Sequence, residues 1–577
     1  MMKIAPFLIL VLLNSFLART QNLLTVFEKS KGTKTPEYKE IINFYKQLDK
    51  LSPRVFMKEY GMSDAGFPLH LVLFSNDGRF DPAAWHKQNK AVLLINNGIH
   101  PGEPDGIDAS LLLVRDLVTG KKHIPDNVTL AFIPVYNIGG CLNRSANYRI
   151  DQNGPVEFGF RGNSQNLDLN RDFIKCDSRE ARSFAAIFHD IDPDIFIDNH
   201  VSNGADYQHI MTLLTSQHSK LGGMMGEYLH TQLEPGLYAL MKSKGYDLVP
   251  YVNFFGEKPE DGWSQFFDSP RYSSGFATLW NTFGFTPETH MLKPFENRVR
   301  STYALMESCI EYAGKHAGNI KSIRRQAKEN VSVQTQFPVR WELDSSRTSQ
   351  IMFKGFESGK MTSLVFGLPR LHYDRNKPFE KSVTFYNHYK PSVSITKPLG
   401  YIIPQGWWKV IDLLKINRVN MRRLTQDSLV DVELYYTEDY TSSPKPFEMH
   451  HLNSVVKLRV VRQSYRYRKG DVYIPMNQAA NRFIVEVLEP QSNDSYFAWN
   501  FFDSILGQKE GFSSYVFEDR AAALLKAHPE IKSRLENKKA EDSVFSKSAS
   551  AQLDFVFRNS PYMEPDFLRY PVGRVMK

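Results

Sequence analysis

Cysteine is nearly missing from this sequence: three residues in 577, too few for a disulfide scaffold or a multi-cysteine zinc module. Long basic runs are missing too, since Lys and Arg adjoin in nothing longer than pairs such as Arg422-Arg423 and Lys538-Lys539. The net charge of +8 is therefore ordinary surface charge, and a nucleic-acid partner is excluded for want of a basic stripe. After residue 20 no apolar run approaches the ~18 residues that span a bilayer. Internal repeats and low-complexity tracts are also lacking. With 42% hydrophobic and 13% aromatic residues there is ample surface to bury, which leaves large folded domains and excludes a disordered chain.

The first 20 residues stand apart. Met1-Met2-Lys3 gives a short positive head, Ile4 to Leu17 is almost wholly apolar, and Ala18-Arg19-Thr20 puts small residues before Gln21. This is the pattern of a secretory signal peptide, too short in its apolar part for a transmembrane span. It predicts a secreted or periplasmic protein with no stable membrane insertion once the signal is removed. In an oxidising compartment Cys141 and Cys176 have the option of pairing, leaving Cys309 over, and the sequence leaves that choice open.

Residues 21–330 read as alternating helix and strand. Tyr38, Ile41, Ile42, Phe44, Tyr45 and Leu48 follow Pro36 at helical spacing. Short apolar runs of strand length occur at Leu71 to Phe74, Ala91 to Ile95, Val128 to Val135 and Asp194 to Ile197, with helical stretches at Ile107 to Leu117 and Ala181 to Phe188. Strands separated by helices predict an α/β domain on a largely parallel, buried sheet. Residues 331–577 differ in texture. Val383 to Tyr386, Val455 to Val461 and Phe483 to Val487 are β-rich and punctuated by Pro and Gly, which predicts a second, mostly β region of sandwich type. A charged helical segment is expected near 519–540, with a solvated face. Trp407-Trp408 and Tyr496 to Phe502 are aromatic clusters that either form a binding face or belong to the core.

Four segments carry chemistry. In Ala91-Val-Leu-Leu-Ile-Asn-Asn-Gly-Ile-His100-Pro-Gly-Glu103 a strand runs into a Gly/Pro-rich turn and then a helix. His100 and Glu103 thus stand beyond the carboxyl end of a strand, the usual place for a site in an open α/β fold. Asp194-Ile-Phe-Ile-Asp-Asn-His200 is a second strand ending in a histidine. Two His and one Glu form a plausible zinc site with an open fourth position. His189, His209, His218 and His230 lack this strand-end context and read as structural or surface residues. Between the metal segments, Asn170-Arg171 offers a fork suited to a carboxylate, and Arg161 sits in a flexible loop just upstream. Last, Glu288 in Phe283-Gly-Phe-Thr-Pro-Glu288-Thr-His290 is a candidate general base, with His290 and Glu296 as neighbours that compete for the role.

The ordered set His100-x-x-Glu103, Asn170-Arg171, His200 and Glu288 resembles the zinc metallocarboxypeptidase family related to carboxypeptidases A and B. Tyr38 to Ile41, Ser52-Pro-Arg-Val55 and Gly61 to Leu69 are similar to that family's opening helix and first hairpin, so the resemblance covers roughly residues 35–315. It implies a mixed, mostly parallel eight-stranded sheet flanked by helices, with one Zn2+ per chain held by His100, Glu103 and His200. It implies further that Asn170 and Arg171 hold the carboxylate of a peptide or protein C-terminus, that Glu288 is the base, that Arg161 stabilises the oxyanion, and that Tyr272 closes over substrate.

The chain departs from the digestive members at three places, one of them the surroundings of His290, Glu288-Thr-His290-Met. Gly102 stands where they carry arginine, and Arg161 precedes Asn170 by only nine residues, so Arg144 and Arg149 compete for its role. Three functions are compatible with these residues: a secreted zinc carboxypeptidase, a zinc amidohydrolase of the same fold acting on N-acyl amino acids, or a non-catalytic peptide or cell-surface binding protein.

Overall fold

The computed structural model describes residues 23–253 and 258–576. The signal segment expected at 1–20 lies outside the described residues. Helix α1 (Tyr38–Leu51) buries Tyr38, Ile41, Ile42, Tyr45 and Leu48, the stripe its spacing predicts, and Glu37 and Glu40 cap its start reciprocally. The hairpin β1 (Val55–Met62) and β2 (Pro68–Phe74) comes next, then β3 (Ala91–Asn96), in which every residue is buried. Helix α2 (Asp105–Val118) leads to β4 (Val128–Ile133), and α3 (Arg179–Ile191), capped by Ser178, leads to β5 (Ile195–Asp198). Beyond it lie β6 (His200–Ser202), β7 (Met211–Thr215) and β8 (Val249–Pro250). Helix α4 (Ser273–Leu279), β9 (Phe283–His290) and the long α5 (Phe295–Val333) complete this part.

The strand order is β1-β2-β4-β3-β5-β9-β7-β8, with β6 also paired to β9. β3 runs parallel to β4 and β5, and β9 parallel to β5 and β6, while the flanks are partly antiparallel. This is the mixed, eight-stranded sheet flanked by helices that the family resemblance implied, with β6 as a short continuation beside it. Its central strands read as unbroken apolar runs because both faces are covered. The register sets Asn96 opposite Asp198, and Glu288 opposite His200. One sheet edge therefore receives the chain leaving β3, the start of β6 and the end of β9.

Helix α5 runs past residue 330, and the region after it opens with two antiparallel pairs, β10 (Gln336–Leu343) with β13 (Tyr389–Thr396) and, inserted between them in sequence, the hairpin β11 (Ser349–Thr362) and β12 (Pro369–Tyr386). Trp263-Ser264 from the first part adds a strand to β12. A six-stranded sheet comes after these, built on β14 (Gly400–Ile403), β15 (Ser428–Ser442), β16 (Asn453–Tyr467), β17 (Val472–Pro475) and β18 (Gly573–Val575), with Arg422-Arg423 at its edge. The β content is thus divided among separate sheets rather than closed into one sandwich.

Phe483 to Val487, expected as a strand, lies in a helix, Asn481–Leu488, with every residue but Arg482 buried. An apolar run of this length does not distinguish a buried strand from a buried helix. The charged segment near 519–540 is two helices, Ser514–Ala527 and Pro529–Glu541, divided at the Pro529 that cannot continue the first. They bury Phe517, Ala521, Leu524, Ile531 and Leu535, so their apolar side is packed as well as their charged side solvated. Of the aromatic clusters, Tyr496, Phe497, Trp499 and Phe502 are core, whereas Trp408 is 59% exposed. A single apolar core runs from Leu23 to Val572 and joins the two regions. The three cysteines are buried free thiols, so Cys141 and Cys176 do not pair.

Candidate metal centre

Past β3 the chain turns sharply, with Gly98 at φ 65° and the Glu103 N–H donating to His100 O at 2.8 Å. This turn points both side chains at the start of β6. His100 Nδ1 lies 3.3 Å from Glu103 Oε1, and His200 Nδ1 lies 3.2 Å from Glu103 Oε2. One ligand atom from each of the three residues falls within 4.8 Å of the others, and all three side chains are buried. His100 Nδ1 has no hydrogen-bond partner, an expensive arrangement for a buried ring nitrogen unless a cation takes it up. Two imidazoles and a carboxylate suit zinc, with room for a fourth ligand.

Each histidine is held from behind by a carboxylate. His100 Nε2 is 2.9 Å from Asp168 Oδ1, and His200 Nε2 is 3.0 Å from Asp198 Oδ2. Such partners fix the tautomer, so that the Nδ1 lone pairs face the centre, and they raise the basicity of the ligand. The Val201 N–H donates to Glu103 at 2.9 Å, and Arg149 adds a bond of 2.8 Å. Burial alone would push the Glu103 carboxyl up, but the charges of His100 and Arg149 hold it well below the usual carboxylate range. For His200 burial disfavours the cation, yet Asp198 and Glu103 keep its pKa well above the ordinary value. The field that does this attracts positive charge of any kind.

The centre opens into a cavity of about 360 Å³, lined by all three candidate ligands together with Arg161, Asn170, Arg171, Tyr272 and Glu288. The eight residues singled out from the sequence thus meet in one place. Arg171 donates to the Asn170 carbonyl at 2.8 Å, and its guanidinium stacks 4.6 Å from the Tyr272 ring centre. Arg161 bonds Asp168 through Nε at 3.0 Å, with Nη1 3.5 Å from Glu103. Burial pushes the Glu288 carboxyl up to about 8, with the Glu103 charge adding, against the opposing pull of His200 and the arginines. Its two competitors are engaged elsewhere: His290 bonds the Ala205 carbonyl at 2.9 Å, and Glu296 pairs with Arg300 at 2.6 Å. Arg144 is also occupied, donating to the carbonyls of Pro36, Thr35 and Glu157.

The departure at Gly102 has a steric reason. A Cβ there would stand 2.8 Å from Arg149 Cδ and 3.0 Å from the Gly159 carbonyl, so glycine makes room for Arg149 to reach Glu103. Sequence reasoning missed Asp168 and Asp198. Each stands two residues before a residue it did find, and a carboxylate two positions before a strand histidine shares its face. It also missed Glu448, which bonds the backbone of Asp168 from the C-terminal region at 2.9 Å.

Among known proteins, the sequence model of the zinc carboxypeptidase family matches residues 41–205. Carboxypeptidase 2 of Trichophyton rubrum is 21% identical over 493 residues, covering 81% of this chain and 84% of that protein. Carboxypeptidase 2 of Trichophyton equinum is 20% identical over 477 residues, or 76% and 81%. Of solved structures, carboxypeptidase A from Helicoverpa armigera superposes with a TM-score of 0.37 at 15% identity, covering 50% of this chain and 75% of that one. Residues 41–205 are thus similar in sequence to the zinc carboxypeptidase family, and the chain continues well past the matched segment.

Proposed function

We propose that the chain is a secreted, zinc-dependent carboxypeptidase that removes residues from peptide and protein C-termini. The observation that carries this reading is the meeting of His100, Glu103 and His200 with Arg171 and Glu288 around one cavity. His100 Nδ1, a Glu103 oxygen and His200 Nδ1 would hold one Zn2+. Bound there, zinc supplies Lewis acidity and lowers the pKa of water in its open position toward ~7.

The protein's own groups do the rest. Arg171 receives the terminal carboxylate in its planar fork, which is oriented by stacking on Tyr272 and by its bond to the Asn170 carbonyl. Asn170 offers its side-chain amide beside it. Glu288, half-buried in the cavity wall beside the three converging residues, accepts the proton of the attacking water and returns it to the leaving amine. Arg161 faces the cavity and stabilises the charge that develops on the carbonyl oxygen. Leu214, Tyr251 and Phe266 in the cavity wall favour an apolar terminal side chain. No helix among the described residues is long and apolar enough to cross a membrane.

The test is a mixed peptide library incubated with the protein and read by mass spectrometry, with metal content measured alongside. Stepwise loss of C-terminal residues that stops on chelation is expected. Zinc binding without such trimming, but with release of acyl groups from N-acyl amino acids, would overturn the carboxypeptidase reading in favour of the amidohydrolase. Zinc binding with no hydrolysis of either substrate would point to the binding protein.

A further inference from the structure

Away from the catalytic cavity a second set of imidazoles converges. His218 opens a short helical turn, His218–Leu221, soon after β7, and His230 lies on a π-helical turn, Leu229–Leu233. His388 sits in the two-residue connection between β12 and β13. The His218 and His230 rings stack with centroids 4.3 Å apart, and His388 meets them edge-on at 4.7 and 5.6 Å. One nitrogen from each ring lies within 4.8 Å of the others.

The backbone around the cluster is pinned in register. Gln217 Nε2 donates to the Asn387 carbonyl at 2.6 Å, His218 Nε2 lies 3.2 Å from His388 Nδ1, and the Tyr389 N–H donates to Ser219 Oγ at 3.2 Å. Three consecutive residues on one side thus meet three on the other. The His230 ring contacts the other two and makes no hydrogen bond among the described residues.

We propose that His218, His230 and His388 form a second metal site, taking Zn2+ or another divalent transition ion, that clamps the C-terminal region to the catalytic one. Tetrahedral geometry with metal–nitrogen bonds of about 2.0–2.1 Å sets its ligand atoms roughly 3.3 Å apart. The His218–His388 pair already has this spacing, and the half-buried His230, stacked on His218 with 15° between the ring planes, has to turn out of the stack to aim its lone pair at the same point. Three imidazoles and no carboxylate among the ligands select against Ca2+ and Mg2+, which require oxygen. Arg347 places a positive charge near all three rings, and Asp344 a negative one near His388. The arginine further disfavours a purely electrostatic site and leaves nitrogen–metal bonding as the source of affinity. Ligands from two regions far apart in sequence make the binding free energy contribute to stability.

The test uses the full chain with His100→Ala and His200→Ala, which empties the catalytic centre. Zn2+ is added, bound metal is counted after dialysis, and the melting temperature is recorded. One zinc per chain and a Tm raised by several degrees are expected, with both effects lost on adding His230→Ala or His388→Gln. Co2+ in place of zinc should give the visible absorption of a tetrahedral nitrogen site. No zinc in the double variant, or zinc kept after removal of His230 and His388, would overturn the proposal. His230→Ala in the otherwise unaltered chain should keep its peptidase activity, which separates loss of the site from loss of the fold. The unaltered chain should bind two zinc ions, one more than catalysis requires.

Discussion

Glu448 Oε2 accepts a hydrogen bond of 2.9 Å from the backbone N–H of Asp168, whose carboxylate lies 2.9 Å from His100 Nε2. The C-terminal region therefore reaches a candidate zinc ligand through one intervening residue. Contacts on either side support that reach: His450 is 2.8 Å from Asp177, and Arg271, next to Tyr272, pairs with Asp494 at 2.7 Å. The extension is part of the wall behind the site rather than a module tethered to it.

Removing that support should be felt at the metal. Glu448→Ala leaves the Asp168 N–H without its acceptor, at a cost of about 1–2 kcal/mol. Only part of this reaches His100, so zinc affinity should fall roughly 3- to 10-fold. Glu448→Gln keeps an acceptor oxygen and should behave close to the parent. Competition with a chelator of known affinity measures both, and equal values for all three proteins would show that the extension does not act on the centre.

Asp198 allows a cleaner test than Asp168, which is shared among His100, Arg161 and Arg171. Asp198→Asn retains the shape but withdraws the charge behind His200, and the amide can turn either its oxygen or its NH2 to the ring. Loss of an outer-shell partner of this kind typically lowers metal affinity about 10- to 100-fold. A variant whose zinc dissociation is unchanged would mean that His200 is not a ligand.

Glu288→Gln separates proton transfer from metal binding, since Glu288 is not one of the three converging ligands. Zinc content should stay at the parent value while kcat falls by about 10²- to 10⁴-fold. Near-normal turnover in that variant would remove Glu288 as the base and return attention to the other groups on the cavity wall.

The parts that were legible in the sequence are those with a local signal. Strand β3 ends in a turn at the carboxyl end of the sheet, where sites of this fold class form, so His100 and Glu103 were visible as soon as the apolar run and its Gly/Pro break were read. The same holds for His200 after β5. Asp198 was less visible because a carboxylate inside a buried strand has meaning only once its partner is known. Glu448 had no signal, since its role depends on a contact between residues 280 apart in sequence. Phe483 to Val487 misled for a simpler reason: full burial erases the periodicity that separates helix from strand. His218, His230 and His388 likewise carry no motif, and only the packing of a hairpin end onto the catalytic region brings them together.

His189 sets part of the acid stability. Its ring lies 3.2 Å from Asn417 Oδ1 and packs on Trp280, and burial lowers its pKa to about 4, with Arg418 and Lys328 adding and Asp192 opposing. Between about pH 4 and the unfolded value near 6.5 the unfolded chain binds this proton and the folded one does not. Stability must therefore fall as pH drops through that window, by on the order of 1–3 kcal/mol, and level off below it. His189→Gln removes the proton-binding group, so the difference in unfolding free energy between parent and variant should shrink or invert from pH 7 to 4. A difference that stays constant with pH would show that His189 does not titrate as a buried neutral ring.

Arg149 and Arg161 both approach Glu103 Oε1, at 2.8 and 3.5 Å, yet their surroundings give them different tasks. Arg149 also donates to Gln152 Oε1 at 2.6 Å and to the Val201 carbonyl at 3.1 Å, and it is packed against Gly102. Each of its three donor nitrogens thus has a partner, which suits a residue that holds Glu103 still. Arg161 lines the cavity, is partly exposed, and directs two of its nitrogens at Asp168, while Nη1 makes only a long 3.5 Å contact with Glu103 that a substrate oxygen can replace. A developing oxyanion would find its donor there. Arg161→Ala should therefore lower kcat by about 10²- to 10³-fold, the usual effect of removing one oxyanion donor, with little change in zinc affinity. Arg149→Ala should weaken zinc binding, since it releases a ligand, while turnover of the fully metal-loaded enzyme falls much less. Kinetics at saturating zinc and chelator competition, run on both variants, distinguish the two roles, and the opposite pattern would exchange them.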